Sequence, residues 1–245
     1  MSIFTDKKST GIRYGFLMSL SLFFTNQCVI AQTNIQSDSL PISRVSFCPK
    51  PVTGKNFILP SALIAIGALG ISGEFIISNP EIKEERDEHF SSFHTGVDNY
   101  LQYLPIAAGY GMLIGNKEHS FWIYTEKVVL TEIMVTGTVQ ATKRITHVTR
   151  PNGSPNSFPS GHTAQAFASA VLFSDEFAQH KPWLAATAYT SAAAVGVLRV
   201  LNNKHWASDV ITGAGFGIIS AKASEWIVNS YNKKHHTKHT FTYQF

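Results

Sequence analysis

The chain has 245 residues, 44% of them apolar and 15% charged, with a formal charge of +4 and a mean hydropathy of +0.02. That length allows one large domain or two small ones, and the low charged fraction falls between an ordinary soluble protein and a multi-span membrane protein. The positive balance suits an anionic partner such as a phosphate ester or an acidic lipid surface, and is too dilute to argue for nucleic acid.

Residues 1–31 read as a signal peptide. Lys7, Lys8 and Arg13 form a basic start, Gly15 to Phe24 an apolar stretch, and Val29-Ile30-Ala31 a cleavage site ahead of Gln32. A retained anchor is the alternative, but Thr25-Asn26-Gln27 interrupts the run before it reaches the roughly 17–25 residues a span needs. Cleavage removes Cys28 and leaves Cys48 alone, so no internal disulfide is expected. Residues 32–56, with Pro41, Pro49 and Pro51, form an extended lead-in.

A helical catalytic domain is expected over 57–230. Residues 57–78 are the most apolar run, but Glu74 and three glycines fit a buried or membrane-lying helix as well as a span. Residues 79–95 are a charged, solvated face. Residues 98–113 are apolar but short and carry Pro105. Over 121–142, Ile123, Val128, Leu130, Ile133 and Met134 recur at helical spacing with Glu126, Lys127 and Glu132 between them, an amphipathic helix more than a lipid-facing one. Stretches 163–177, 183–201 and 209–228 are rich in small residues that let helices pack closely. With no strand-rich region and no repeat, the fold is expected to be all-α, a bundle of about six or seven helices. The basic tail 231–245 is expected to be mostly disordered, with the alternation Phe241, Tyr243, Phe245 allowing a terminal strand. His235, His236 and His239 in it read as solvated rather than metal-binding.

The chemistry concentrates between Lys143 and Asp209. Phosphoryl transfer takes a nucleophile, fixed positive groups around the phosphate oxygens and an acid for the leaving oxygen. Lys143 and Arg150, seven apart, are expected two turns along one helix face that Pro151 ends. The turn-rich loop PNGSPNSFPSGH follows, with Ser160 and Gly161 at the start of the next helix, where backbone N–H groups and a hydroxyl can hold an anion. His205 and Asp209, four apart, are expected on one helix face, the carboxylate holding one ring nitrogen and freeing the other to attack. His162 is the natural acid, and Arg199 supplies a planar fork for phosphate. Such a site needs no metal or other cofactor. His147 and Trp206 read as surface or packing residues, and Glu74 as a helix-end or interface residue.

The pattern Lys143-x6-Arg150-Pro151, Pro159-Ser160-Gly161-His162 and Arg199-x5-His205-x3-Asp209 resembles the three-part signature of the type 2 phosphatidic acid phosphatase (PAP2) superfamily, over roughly residues 140–215. That superfamily includes lipid phosphatases, bacterial class A acid phosphatases and vanadium haloperoxidases. The resemblance implies its helical bundle and a phosphohistidine on His205, with His162 as acid and Lys143, Arg150, Ser160, Gly161 and Arg199 binding phosphate. Leu198 departs from the pattern, where the family usually has Ser.

The expected function is a phosphatase of lipid or lipid-linked phosphates, with lipid A phosphate, undecaprenyl diphosphate and phosphatidylglycerophosphate as candidate substrates. The alternatives are a broad-specificity periplasmic acid phosphatase, a vanadium haloperoxidase and a non-catalytic lipid-binding protein. If 57–78, 101–115 and 121–142 all spanned a membrane, the site would face the cytoplasm. Lipid phosphatases of this family typically work on the outer side, so at least one of the three is expected not to cross. The site is then placed at the periplasmic face of a bacterial inner membrane, in an integral or peripheral protein whose oligomeric state the sequence does not specify.

Overall fold

The computed structural model describes residues 51–72, 79–114 and 119–240, with side chains to Lys234. The signal segment 1–31, Cys48, Glu74 and the Phe241-Tyr243-Phe245 alternation lie outside the described residues. Within them are eight α-helices and no strand: α1 (Ile58–Leu69), α2 (Asn79–Phe90), the single turn α3 (Asp98–Leu101), α4 (Leu104–Leu113), α5 (Phe121–Thr146), α6 (Gly161–Phe177), α7 (Pro182–Leu201) and α8 (Ala207–Thr240). The all-α expectation holds; the count exceeds six or seven because the charged stretch from residue 79 forms helix α2 and the stretch around Pro105 breaks at Gln102-Tyr103 into α3 and α4. The tail differs from expectation, since α8 continues through residues 231–240 as helix.

Helix α6 is the hub. Every residue from Thr163 to Ser174 is buried, and α4, α5, α7 and α8 pack on it, while α1 packs on α8. The small side chains of α6 and α8 let their backbones touch. A Cβ on Gly213 would stand 2.5 Å from the Ser160 carbonyl oxygen, and one on Gly217, a turn later, would overlap the Ala164 carbonyl. The α8 backbone thus lies directly against the first turn of α6. At the other end of α6, Lys127 of α5 pairs with Glu176 at 2.8 Å, and His119 reaches the same carboxylate at 3.0 Å. Thr131 Oγ1 and Ser224 Oγ, 2.5 Å apart, join α5 to α8. Buried charges of this kind persist only when paired.

Helix α5 is less cleanly two-sided than expected, with polar and apolar residues on both its buried and its exposed faces. Its inward stripe is Tyr124, Lys127, Thr131, Val135, Val139 and Lys143. Trp122, Val129, Ile133 and Ile145 face outward, each more than half exposed. The helical period was legible, but not its phase: the polar groups turn inward because Glu176, Ser224 and the loop carbonyls after α5 are there to bond them. The short helices also bear on how much of the chain can cross a bilayer. At 1.5 Å per residue, α1 and α4 reach about 18 and 15 Å, against a hydrocarbon core of about 30 Å. Among the described residues, one helix, Pro182–Leu201, is long and apolar enough to cross.

The close helix contact gives a stability test. Gly217→Val should cost about 1–3 kcal/mol through overpacking and lower the melting temperature. Gly137→Ala, on α5 where a new Cβ meets nothing within 4 Å, should leave it unchanged or raise it.

Candidate active site

Lys143 lies in the last turn of α5. The helix ends at Thr146, and His147 follows in the left-handed conformation (φ 48°), its N–H donating to the Lys143 carbonyl at 3.3 Å. Arg150 is therefore not two turns along the same helix as expected; the chain leaves the helix four residues before Pro151. A folded loop places Arg150 instead. Its N–H donates to Ser154 O at 2.8 Å, its carbonyl accepts from Gly153 N–H at 2.9 Å, and Ser157 N–H donates back to Val148 O at 2.7 Å. Gly153 sits at φ 85°, a conformation that costs glycine nothing. Lys143 Nζ fastens the loop to the helix by donating to the Asn156 and Ser157 carbonyls at 2.6 and 3.2 Å. An ammonium has three donors, so one remains for a ligand.

Ser160 caps α6. Its Oγ accepts from Thr163 N–H at 3.4 Å and lies 2.9 Å from Thr163 Oγ1. Its own N–H donates to the Asp209 carbonyl at 3.0 Å. The expected anion-binding pair of N–H groups thus moves one residue along the chain, to Gly161 and His162, which as the first two residues of α6 have no intrahelical acceptor. The His162 side chain reaches Asn99 of α3, with 2.9 Å between Nε2 and Oδ1.

His205 precedes α8 rather than sharing a face of it with Asp209. The pair still meets, because Asp209 in the first turn reaches back: its Oδ2 accepts from Trp206 N–H at 2.9 Å, from His205 Nδ1 at 3.2 Å, and from Ser157 Oγ. Nδ1–H bound to the carboxylate leaves the Nε2 lone pair free. Trp206 Nε1 donates to Thr149 O at 2.7 Å, which fits its expected packing role, and His147 is exposed.

Arg199, in the last turn of α7, donates from NH1 to Asp98 Oδ2 at 2.7 Å. The Nε atoms of Arg150 and Arg199 are buried and have no partner among the described residues. Burial and the neighbouring Arg150 pull the Lys143 amine down to about 8. Burial, then Arg199, lowers Arg150. Burial lowers both histidines to about 4; Asp209 opposes the shift at His205, and Arg199 adds to it at His162. These mutual effects mean that Lys143, Arg150, His162, Arg199, His205 and Asp209 share one neighbourhood. Asp98 and Asn99 join it from outside the motif region, and neither was singled out from the sequence. Their only signal there was a polar pair opening an otherwise apolar stretch.

The arrangement presents a neutral imidazole nitrogen beside several cationic or N–H donors that lack an acceptor, which is what binding and attacking a phosphate requires. A wide groove of about 540 Å³, lined by Pro80, Lys83, Glu84, Asp87, Glu88 and Trp206, lies on the α2 side of Trp206 and contains none of these cations.

The chain is similar to several known proteins. The model of the PAP2 superfamily matches residues 136–233, which hold every residue of the cluster except Asp98 and Asn99. A lipid A 1-phosphatase of Porphyromonas gingivalis is 32% identical over 227 residues, covering 88% of this chain and 51% of that protein. The chain thus spans about half the length of this curated relative. Two solved structures are also similar. One is LpxE of Aquifex aeolicus, at 24% identity and a TM-score of 0.45, covering 58% of this chain and 92% of that one. The other is the first transmembrane PAP2 type phosphatidylglycerolphosphate phosphatase from Bacillus subtilis, at 18% and 0.45, covering 72% and 96%.

Burial of His205 has a consequence for stability. It protonates near 6.5 when unfolded but only near 4 when folded, so unfolding takes up a proton. Its contribution is complete above pH 6.5 and is lost as pH falls toward 4, by at most about 3 kcal/mol, with His162 adding to the same limb. Melting temperature should drop across that window, and less steeply in His205→Gln. An equally steep drop in the variant would rule out His205 as a source.

Proposed function

We propose, from the match of residues 136–233 to the PAP2 superfamily model, that the chain is a phosphatase of that superfamily acting through a phosphohistidine on His205. The observation that carries this reading is the set of buried donors without acceptors, the Arg150 and Arg199 Nε–H groups, gathered around a histidine whose free nitrogen is held neutral. Lys143, Arg150, Arg199 and the N–H groups of Gly161 and His162 receive the phosphate oxygens. His205 Nε2 attacks phosphorus, and Asp209 orients the ring and stabilises its positive charge as the bond forms. His162 protonates the leaving oxygen, then takes a proton from the water that releases phosphate. Ser160 contributes by capping and placing this turn. No step calls for a metal.

The substrate proposed is a phosphorylated lipid, with lipid A phosphate first because of the named relative. Support comes from the outward apolar side chains of α5, together with Ile58, Leu69, Trp183 and Trp226 on other helices, all more than half exposed. Side chains of this kind suit a membrane-associated protein. The site is proposed to lie on the extracytoplasmic side. A topology reporter inserted near Asn152 should then be active outside the cytoplasm, and activity confined to the cytoplasm would overturn that placement.

The central test is phosphate release by purified full-length protein from lipid A, undecaprenyl diphosphate, phosphatidylglycerophosphate and a soluble aryl phosphate. Lipid A should be hydrolysed fastest; preference for the soluble ester would favour a broad-specificity acid phosphatase. His205→Ala should lower turnover by more than about a thousandfold, and an unchanged rate would refute the mechanism. Asp209→Asn should reduce kcat with little change in KM.

A further inference from the structure

Two of the motif side chains find partners well before the motif region, on adjacent residues of one turn. Arg199 bonds Asp98 at 2.7 Å and His162 meets Asn99 at 2.9 Å. We propose that Asn99 is a positioning residue for proton transfer to and from the leaving oxygen, holding His162 by Nε2 so that Nδ1 is the nitrogen presented to the substrate. This rests on the phosphatase reading and assigns a part in it to a residue outside its motifs.

An amide oxygen can only accept, so Asn99 Oδ1 takes the Nε2–H and selects the state in which that nitrogen is protonated. In the first half-reaction His205 Nε2 gives its lone pair to phosphorus. The bond from phosphorus to the leaving oxygen breaks, and its electron pair stays on that oxygen, which takes the Nδ1 proton of His162, doubly protonated once the phosphate anion offsets the surrounding cations, and departs as an alcohol. In the second half, a water oxygen bonds phosphorus, its proton passes to Nδ1, and the phosphorus–nitrogen pair returns to His205. The Nε2–H bond to Asn99 persists throughout. The ring therefore stays in place while it gives and regains one proton.

A single turn of helix does not hold its own shape, so Asn99 needs an anchor, and Asp98 provides it. Asp98 is 1% exposed, and its second oxygen accepts from Asn202 at 3.3 Å. Asn202, just past the end of α7, also accepts from Thr95 N–H at 2.9 Å and donates to Thr95 O at 3.0 Å. These bonds clamp the segment 95–99 to the end of α7 that carries Arg199. The charges facing His162 are Arg199 from α7, Arg150 from the loop, Lys143 from α5 and, opposing them, Asp98 from α3. A neutral acceptor suits this position, because a carboxylate would itself compete with phosphate for those cations.

The test uses the full-length chain and two substrates with the same phosphate and similar tails, a long-chain alkyl phosphate and the phosphate of a long-chain nitrophenol. Asn99→Ala should lower kcat on the alkyl ester on the order of ten- to a hundredfold, with KM nearly unchanged, and lower it on the nitrophenyl ester by less than about threefold. Asn99→Asp keeps an acceptor and adds a negative charge beside the ring. It should recover much of the alkyl-ester rate and move the alkaline limb of kcat to higher pH. Equal losses on both esters, no loss on either, or an unmoved limb in Asn99→Asp would overturn the assignment. If His162→Ala loses equally on both esters, the choice of acid is at fault, and if the wild type releases phosphate from neither, so is the phosphatase reading.

Discussion

One buried carboxylate holds the site together. Asp209 is fully buried, and its Oδ2 accepts from the His205 ring, the Trp206 N–H and the Ser157 hydroxyl, while its carbonyl receives the Ser160 N–H. Those four contacts join the start of α8, the loop that carries Arg150 and the first turn of α6. A carboxylate away from water is costly unless its oxygens find donors; Oδ2 takes all three side-chain contacts, drawing in the loop and the histidine, while Oδ1 is buried with no partner among the described residues. The glycines of α8 complete the arrangement, since only a backbone without a Cβ lets α8 lie against Ser160 and Ala164.

Around that anchor the protein gathers positive charge that its own residues do not balance. Lys143, Arg150 and Arg199 each disfavour the charge on another of the set, and Asp209 and Asp98 answer only part of it. Loop carbonyls and Asp98 hold Lys143 and Arg199 in place despite the repulsion. A bound anion would relieve it, so on the proposed function the cluster trades stability in the empty protein for affinity toward phosphate, as functional sites commonly do. The acid sensitivity expected of the folded state has the same origin, because burial keeps both histidines neutral in the empty protein and unfolding in acid lets them take up protons.

The exterior follows a related logic. Helix α5 turns Lys127, Thr131 and Lys143 inward and leaves Trp122, Val129 and Ile133 outside. Glu126, Gln140 and Arg144 are exposed on the same helix, so its outer face is mixed while its buried polar groups find partners within the bundle. A single helix read in isolation cannot reveal this, since the period of its apolar residues is the same whichever side faces in.

The sequence by itself determined the helical class and pointed to the candidate site residues. Lys143, Arg150, Ser160, Gly161, His162, Arg199, His205 and Asp209 were legible because phosphoryl transfer calls for such functional groups and because their spacing resembles the PAP2 signature. Runs of apolar and small residues likewise marked out most of the helices. Tertiary structure decided how those groups meet. Arg150 arrives on a folded loop instead of a helix face, the free N–H pair is Gly161 and His162 instead of Ser160 and Gly161, and His205 reaches Asp209 from just outside α8. It also brought in Asp98 and Asn99, about a hundred residues before Arg199 and some sixty before His162. Local spacing encodes neighbours along one helix, whereas bonds between separate elements depend on where the packed core places each helix end, and no local pattern records that.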